Sequence, residues 1–528
     1  MQNFATVIIL LAVVTALAEL ADRVRVPYPI LLVLAGMGIG LFPGLRIITL
    51  DPEIVFLLFL PPVLFSESWR TSWPDFKAAK RPIILLAIGC VIFTMCTVAW
   101  IAQKFIPGMG WPEAFVLGAI ISPPDAVAAT AATKGLGVPR RIITILEGES
   151  LVNDATGLIA FRYAVVAVVA GTFDLWDASW HFLLVATAGI AIGFGIGYVF
   201  RWIHRLTPNN PTTDTTLTFM APFVAYLTAE AVEVSGVLAV VVAGLYLSWH
   251  SNEFFTQQSR LQANGFWNTV IFILNGIIFI LIGLQLPAII ENVEAHSLTD
   301  MVTYGAIISL AVIIGRLIWV YPSAYLPRWM SRGIREREHG TTLGLVTIVA
   351  WSGMRGVVSL AAAMALPLTI ANGVPFPHRD LIVFITFSVI FATLVLQGLT
   401  LKPLIRFLGL KPDERELTAE NEARVALASE VIEHIEENYS LALSEEVLNQ
   451  IKTKYEIRIQ RLRKDRMQRR LQDHEIIEFH RIQQELLNLE RKRLLHLRRQ
   501  GFISEEAVRK IEYELDLEET RLILERDV

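Results

Sequence analysis

Between Leu146 and Tyr163 the chain reads LEGESLVNDATGLIAFRY. Glu147, Glu149, Asn153, Asp154 and Arg162 sit there inside an apolar stretch long enough to cross a bilayer. An ionisable side chain in hydrocarbon costs roughly 2.5–3.5 kcal/mol on insertion scales, and such groups mark ion or substrate paths. Glu149 and Asn153 are four apart, so a helix places them on one face. Asp154 lies about 100° further round. A further carboxylate, Asp125, closes Ser122-Pro123-Pro124-Asp125 in the preceding apolar stretch. A short amphipathic helix on a soluble surface is the bland reading, and the flanking spans argue against it.

Carboxylates in a low-dielectric setting favour their neutral state. A proton or a small bound cation supplies it, and the two compete for the same oxygens. If only neutral forms cross the barrier, competition becomes obligatory exchange. Hard cations take oxygen ligands. Here these would be Asp carboxylates, serine hydroxyls and carbonyls freed where a helix breaks. Glu149 is a poorer exchanging group if it holds a permanent cationic partner. Arg316, in IIGRLIWV, is one candidate partner and Arg355 is the other. A buried Arg has to be paired. Arg162 either snorkels or contacts another helix, and Glu230 and Glu233 read as interfacial.

The elements that must position these groups are membrane helices. Of 528 residues, 54% are hydrophobic. Up to Leu408 there are 47 charged residues; the last 120 residues carry 49. This divides the chain into a membrane domain, 1–408, and a soluble helical tail, 409–528. The net charge of −4 averages two solvents and says nothing about partners. The two cysteines, Cys90 and Cys96, match no metal or redox spacing. The apolar N-terminus lacks a preceding Lys or Arg and reads as a retained span, not a cleaved signal.

About thirteen apolar segments recur between residues 4 and 405. With the N-terminus outside, sixteen Lys and Arg fall in cytoplasmic loops and three (Arg46, Lys104, Arg379) in outer ones. That asymmetry puts the tail in the cytoplasm. Two spans read as broken, the fifth at Ser122–Asp125 and the twelfth at Ser352-Gly353-Met354-Arg355-Gly356. They are seven apart, so they run in opposite directions. Broken helices in inverted repeats point to a transporter's midplane site. In the tail, Thr418, Ser444 and Ser504 read as helix starts, giving helices near 418–440, 444–500 and 503–526. The basic run Arg458–Arg470 reads as a solvated face, or as a contact for anionic lipid or an acidic partner.

Glu149-Ser150-Leu151-Val152-Asn153-Asp154 resembles the signature of the monovalent cation–proton antiporter family, which includes NhaP-type and animal sodium/proton exchangers. Ser122-Pro123-Pro124-Asp125-Ala126-Val127-Ala128, Leu60-Pro61-Pro62, Arg316 and Met354-Arg355-Gly356 fall in matching places. The resemblance covers about residues 4–408. It implies an all-α fold of thirteen helices with inverted repeats and two crossed broken helices, usually a homodimer in the plasma (inner) membrane. It implies Asp154 as the carboxylate carrying Na⁺ and H⁺, Asp125 as a second site carboxylate and Ser150 as a hydroxyl ligand. Asn153 would pin the site to the broken fifth helix, whose Pro124 carbonyl is a further ligand, and Glu149 with Arg316 would be a structural ion pair. Arg355 and Ser122 are accessory. Many relatives carry Asp-Pro in the fifth span, whereas here proline precedes Asp125. Many place an acid where this chain has Ser66, with Glu67 next. Asn153 stands where electrogenic relatives have a second Asp, which suits electroneutral one-for-one exchange.

The expected activity is therefore Na⁺/H⁺ antiport serving pH regulation, with K⁺ or Li⁺ as other cations and no cofactor or nucleic acid. The competing classes are a membrane aspartyl protease using Asp125 and Asp154, and a channel. The protease lacks a recognisable Gly-Asp element, and the channel lacks repeated filter elements.

Overall fold

A computed structural model describes residues 2–24, 26–41, 57–133, 136–170, 175–207, 210–291, 297–337, 342–370, 374–409, 414–439, 445–463, 481–494, 496–497, 500 and 505–526. The ends of the expected second and third spans (42–45 and 52–56), Arg46, Lys134, Ser444, Ser504 and the second half of the basic run (464–470) lie outside these residues. Among the described residues the only β pairing is one isolated bridge, Thr369 to Pro375; the rest of the regular structure is helical. The chain divides into two compact units, Met1–Pro412 and Asp413–Val528.

The first unit opens with α1 (Gln2–Val24), α2 (Tyr28–Gly40) and α3 (Leu60–Arg70). A short α4 (Trp73–Ala78) leads into α5 (Lys80–Phe105), which includes a π-helical turn at Leu85–Cys90. Next come α6 (Trp111–Ile121), α7 (Ala126–Thr133), α8 (Arg140–Ala170), α9 (Leu175–Leu206) and α10 (Pro211–Ala231). They are followed by α11 (Gly236–Phe254), α12 (Gln257–Leu284), the short α13 (Leu286–Glu291) and α14 (Leu298–Met330). The short α15 (Arg332–Arg337), α16 (Leu343–Trp351), α17 (Val357–Met364) and α18 (Arg379–Phe407) complete it. Among the described residues six helices are long and apolar enough to cross a membrane unaided. The others are shorter, or are broken into two segments.

Helix starts follow local chemistry. Ser235, Thr256, Ser297 and Thr342 each accept, through the side-chain oxygen, the amide three residues on, at 3.1–3.4 Å. Asn210 does the same at 3.1 Å. Each cap satisfies a first-turn amide that has no intrahelical partner.

Packing separates the unit into two apolar clusters. One gathers Val98, Leu117, Ile145, Ile348 and Ile385. The other gathers Phe65, Ala225, Val240 and Trp267. Helix α8 belongs to both, through Ile145 and Phe161 on one side and Leu151 and Ala155 on the other. Lipid tails are as apolar as leucine, so close backbone approach, not water exclusion, holds such helices together. A Cβ on Gly283 of α12 would lie 2.2 Å from the Val33 carbonyl oxygen of α2. Only glycine fits there.

A buried polar network pins the second cluster. His204 Nδ1 lies 2.9 Å from Asp214 Oδ1, and Ser259 Oγ donates to Asp214 Oδ2 at 2.6 Å. Helices α9, α10 and α12 are thereby tied together, with both carboxylate oxygens of Asp214 engaged.

In the second unit α19 (Glu414–Tyr439) begins four residues before the expected Thr418. Helices α20 (Glu445–Arg463), α21 (481–494) and α22 (Glu505–Arg526) follow. Leu487 and Leu494 pack with Val508 and Leu515, and Arg491 bridges to Asp516 at 2.6 Å and Glu519 at 2.5 Å.

Candidate functional site

Helix α6 stops at Ile121 and α7 starts at Ala126. Pro123 and Pro124 offer no amide hydrogens to continue the ladder. On the opposing side α16 stops at Trp351 and α17 starts after Gly356. The two breaks are stitched to each other. Asp125 N donates to Met354 O at 2.8 Å. Arg355 Nη1 donates to Ser122 O, and Arg355 N donates to Thr393 Oγ1 of α18 at 3.1 Å. Irregular backbone inside a membrane needs such internal partners.

The Asp125 carboxylate and the break around it are held in place by local contacts. Its Oδ1 accepts the Val127 amide at 2.7 Å, capping α7. Its Oδ2 lies where a side chain on residue 356 would begin: a Cβ there would sit 1.8 Å away. Ser150 Oγ accepts the Ala126 amide at 3.4 Å, tying α8 to the same break. Asn153 Nδ2 donates to Pro124 O at 2.9 Å.

Asp125, Ser150, Asp154 and Glu67 line one cavity of about 50 Å³. That is room for one or two water-sized occupants. Asp154 is 8% exposed and Ser150 4%. The fit to a small cation is one of donor chemistry: carboxylate, hydroxyl and carbonyl oxygens, the ligands hard ions prefer. Among the described residues no three His, Cys, Asp or Glu side chains converge as a metal cluster. A cation here would keep part of its shell from hydroxyls, carbonyls or water. Around the crossing, Asn153 Oδ1, Ser352 Oγ and Ser359 Oγ are buried without a protein partner.

Glu149 is held elsewhere. Arg316 Nη1 and Nη2 donate to its Oε1 and Oε2 at 2.5 and 2.8 Å, a two-pronged pair with both side chains 1% exposed. Arg316 Nη2 and Nε also donate to Val349 O at 3.1 and 3.3 Å, near the C-terminal end of α16. One guanidinium therefore joins α8, α14 and α16. Arg355, the other candidate for Glu149, instead reaches Ser122 O.

Not every residue singled out in the sequence faces the cavity. Ser66 is buried but does not line it, and neither do Ser122, Pro124, Asn153 and Arg355, which bond one another around the break. One lone pair of the Pro124 carbonyl is occupied by Asn153. Two polar lining residues escaped the sequence reading: Asn275 of α12 and Ser359 of α17. Asn275 had a signal, a lone amide in the apolar run IFILNGIIFILIG. Gly356 was marked only as part of the break, and Thr393 had no signal, since its role arises from a contact between helices.

Two crossed broken helices around buried carboxylates define a membrane transporter fold. The family model described as "Sodium/hydrogen exchanger, transmembrane" matches residues 8–407. The "Sodium, potassium, lithium and rubidium/H(+) antiporter" of Bacillus pumilus is 36% identical over 412 residues, 76% of this chain and 61% of that protein. The chain thus spans about three fifths of that relative's length. The "Uncharacterized Na(+)/H(+) exchanger YjcE" of Escherichia coli is 32% identical over 99% of this chain and 100% of its own. The solved sodium proton antiporter MjNhaP1 of Methanocaldococcus jannaschii shares the fold, with a TM-score of 0.62 at 18% identity over 77% of this chain and 99% of that one. The chain belongs to the sodium/hydrogen exchanger family.

Proposed function

We propose that the protein exchanges Na⁺ for H⁺ across the membrane, with K⁺ and Li⁺ as further cations, by alternating access. The observation that carries this reading is the shared cavity of Asp125, Asp154 and Ser150 at the crossing of two broken helices. Cation and proton compete there for Asp154 and Asp125, with Ser150 and Glu67 as further oxygen ligands. Glu149 and Arg316 act as a structural pair and take no part in transfer. Asn153 carries no titratable proton, so exchange is one-for-one and electroneutral. The names of relatives that take sodium, potassium, lithium and rubidium support the range of cations.

The working form is a homodimer of thirteen-span subunits in the plasma membrane, N-terminus outside and tail in the cytoplasm. The apolar, exposed face of α9, with Trp180, Leu183, Phe194 and Trp202, suits lipid or a second subunit. Residues 1–408 carry exchange, and 409–528 tune it.

The deciding experiment is dissipation of a pH gradient in proteoliposomes on adding Na⁺, K⁺ or Li⁺, with and without an imposed potential. Cation-dependent dissipation insensitive to potential is expected. Proton leak independent of cations, or no dissipation with any of them, overturns the reading.

A further inference from the structure

A second cavity, of about 220 Å³, lies further along the same two helices. Helix α8 gives Ser150 and Asp154 to the first cavity and Leu158 and Arg162 to the second. Helix α17 gives Ser359 and Ala361 to the first, and Ala365 just past its end lines the second. Both helices therefore pass from one cavity to the other in the same direction. Asp154, Leu158 and Arg162 are spaced four apart, so each step advances about 6 Å along nearly one face. The second cavity is large enough for roughly seven waters at liquid density.

This cavity is spanned by one ion pair. Arg162 Nη2 of α8 lies 2.8 Å from both Oε1 and Oε2 of Glu230 on α10. The neighbours of Arg162 on α8, Phe161 and Ala164, belong to the first apolar cluster. Ala229, beside Glu230, belongs to the second. The pair therefore ties α8, which both clusters share, to α10 of the second cluster. The Glu230 end is rigidly placed: Glu233 closes the turn after α10 at φ 58°, and Val234 N returns to Ala229 O at 3.0 Å. Tyr226, one turn before Glu230, lines the same cavity.

We propose that Arg162 and Glu230 are the latch of the outer half of the exchange path, clamping α8 to α10 beyond Leu158 and opening when Asp154 is exposed to that side. The proposal rests on the exchange reading of the first cavity. Leu158, one turn past Asp154 on α8, lines the second cavity and packs against both clusters. Because the pair is part-exposed, at 52% and 31%, its hold is modest and suits a contact that breaks in every cycle.

The test is thiol labelling of Leu158→Cys in a Cys90→Ala/Cys96→Ala background, with a charged, membrane-impermeant maleimide added from the outside. Arg162→Gln and Glu230→Gln should each speed labelling about three- to fivefold, the size a half-exposed pair can supply. The swap Arg162→Glu/Glu230→Arg should return the rate to that of the parent. If one single variant fails to insert, the other carries the same comparison. Rates within twofold of the parent in the single variants, or a swap that labels as fast as they do, overturn the latch. Labelling needs no transported ion, so the two readings fail separately. A parent that exchanges no cation but shows this pattern loses the antiport reading and keeps the latch. A parent that exchanges and shows no pattern loses the latch alone.

Discussion

The amide of Asp125 donates to the carbonyl of Met354 at 2.8 Å, so the break between α6 and α7 and the break between α16 and α17 are joined backbone to backbone. Gly356, two residues past Met354, then leaves the space that the Asp125 carboxylate fills. Gly356→Ala should push that carboxylate aside. Misplacement by an ångström can cost on the order of a hundredfold in a positioned site. The expected result is a loss of that order in apparent cation affinity with normal insertion, read from the cation dependence of pH-gradient dissipation.

Asp154→Asn keeps the shape of the side chain and removes its titratable group. Cation-driven proton movement should vanish in proteoliposomes, while the purified protein keeps its elution volume and melting temperature. Exchange at the parental rate by a folded Asp154→Asn protein would remove Asp154 from the central role.

Glu149 and Arg316 are both 1% exposed, so removing either partner strands a buried charge. Glu149→Gln and Arg316→Leu should each destabilise by about 3–5 kcal/mol. The double variant should lose less than the sum, because neither charge is then left alone. Thermal stability of the three purified proteins gives the comparison. Strictly additive losses would argue that the contact carries no coupling.

One site shared by two ligands dictates the pH response. A bound proton excludes a cation, so apparent cation affinity should fall as pH drops, approaching about tenfold per unit in the acid limit. Exchange rates should pass through a maximum, failing in acid from proton occupancy and in alkali from lack of protons. Cation titrations at several pH values check the sign: affinity that rises as pH falls would contradict competition.

Truncation after Pro412, where the two compact units meet in sequence, should leave measurable exchange with an altered pH or cation response. A correctly inserted truncation that is silent at every pH would give the tail a part in transfer itself.

Much of this was legible because membrane chemistry writes plainly. A carboxylate in an apolar run is costly, so Asp125, Asp154 and Glu149 stood out at once, as did the prolines that end α6. The contacts that assemble them did not. Gly356 looks like any glycine until the Asp125 carboxylate is seen above it. Thr393 looks like any small residue in α18 until it meets the Arg355 amide. Glu230 read as interfacial from position alone; its partner, Arg162, lies 68 residues away. Periodicity and residue type report what a segment must bury, while the choice of partner depends on which helices become neighbours.

All twelve tryptophans precede residue 409, so every one lies in the first compact unit and none in the tail. Intrinsic tryptophan emission is therefore a probe of the membrane body alone, and the tail is dark to it. Unfolding of this chain will not reduce to a single transition. A tryptophan melt will describe the helices around Asp154 and stay blind to the loss of α19 to α22, which far-ultraviolet circular dichroism will register separately.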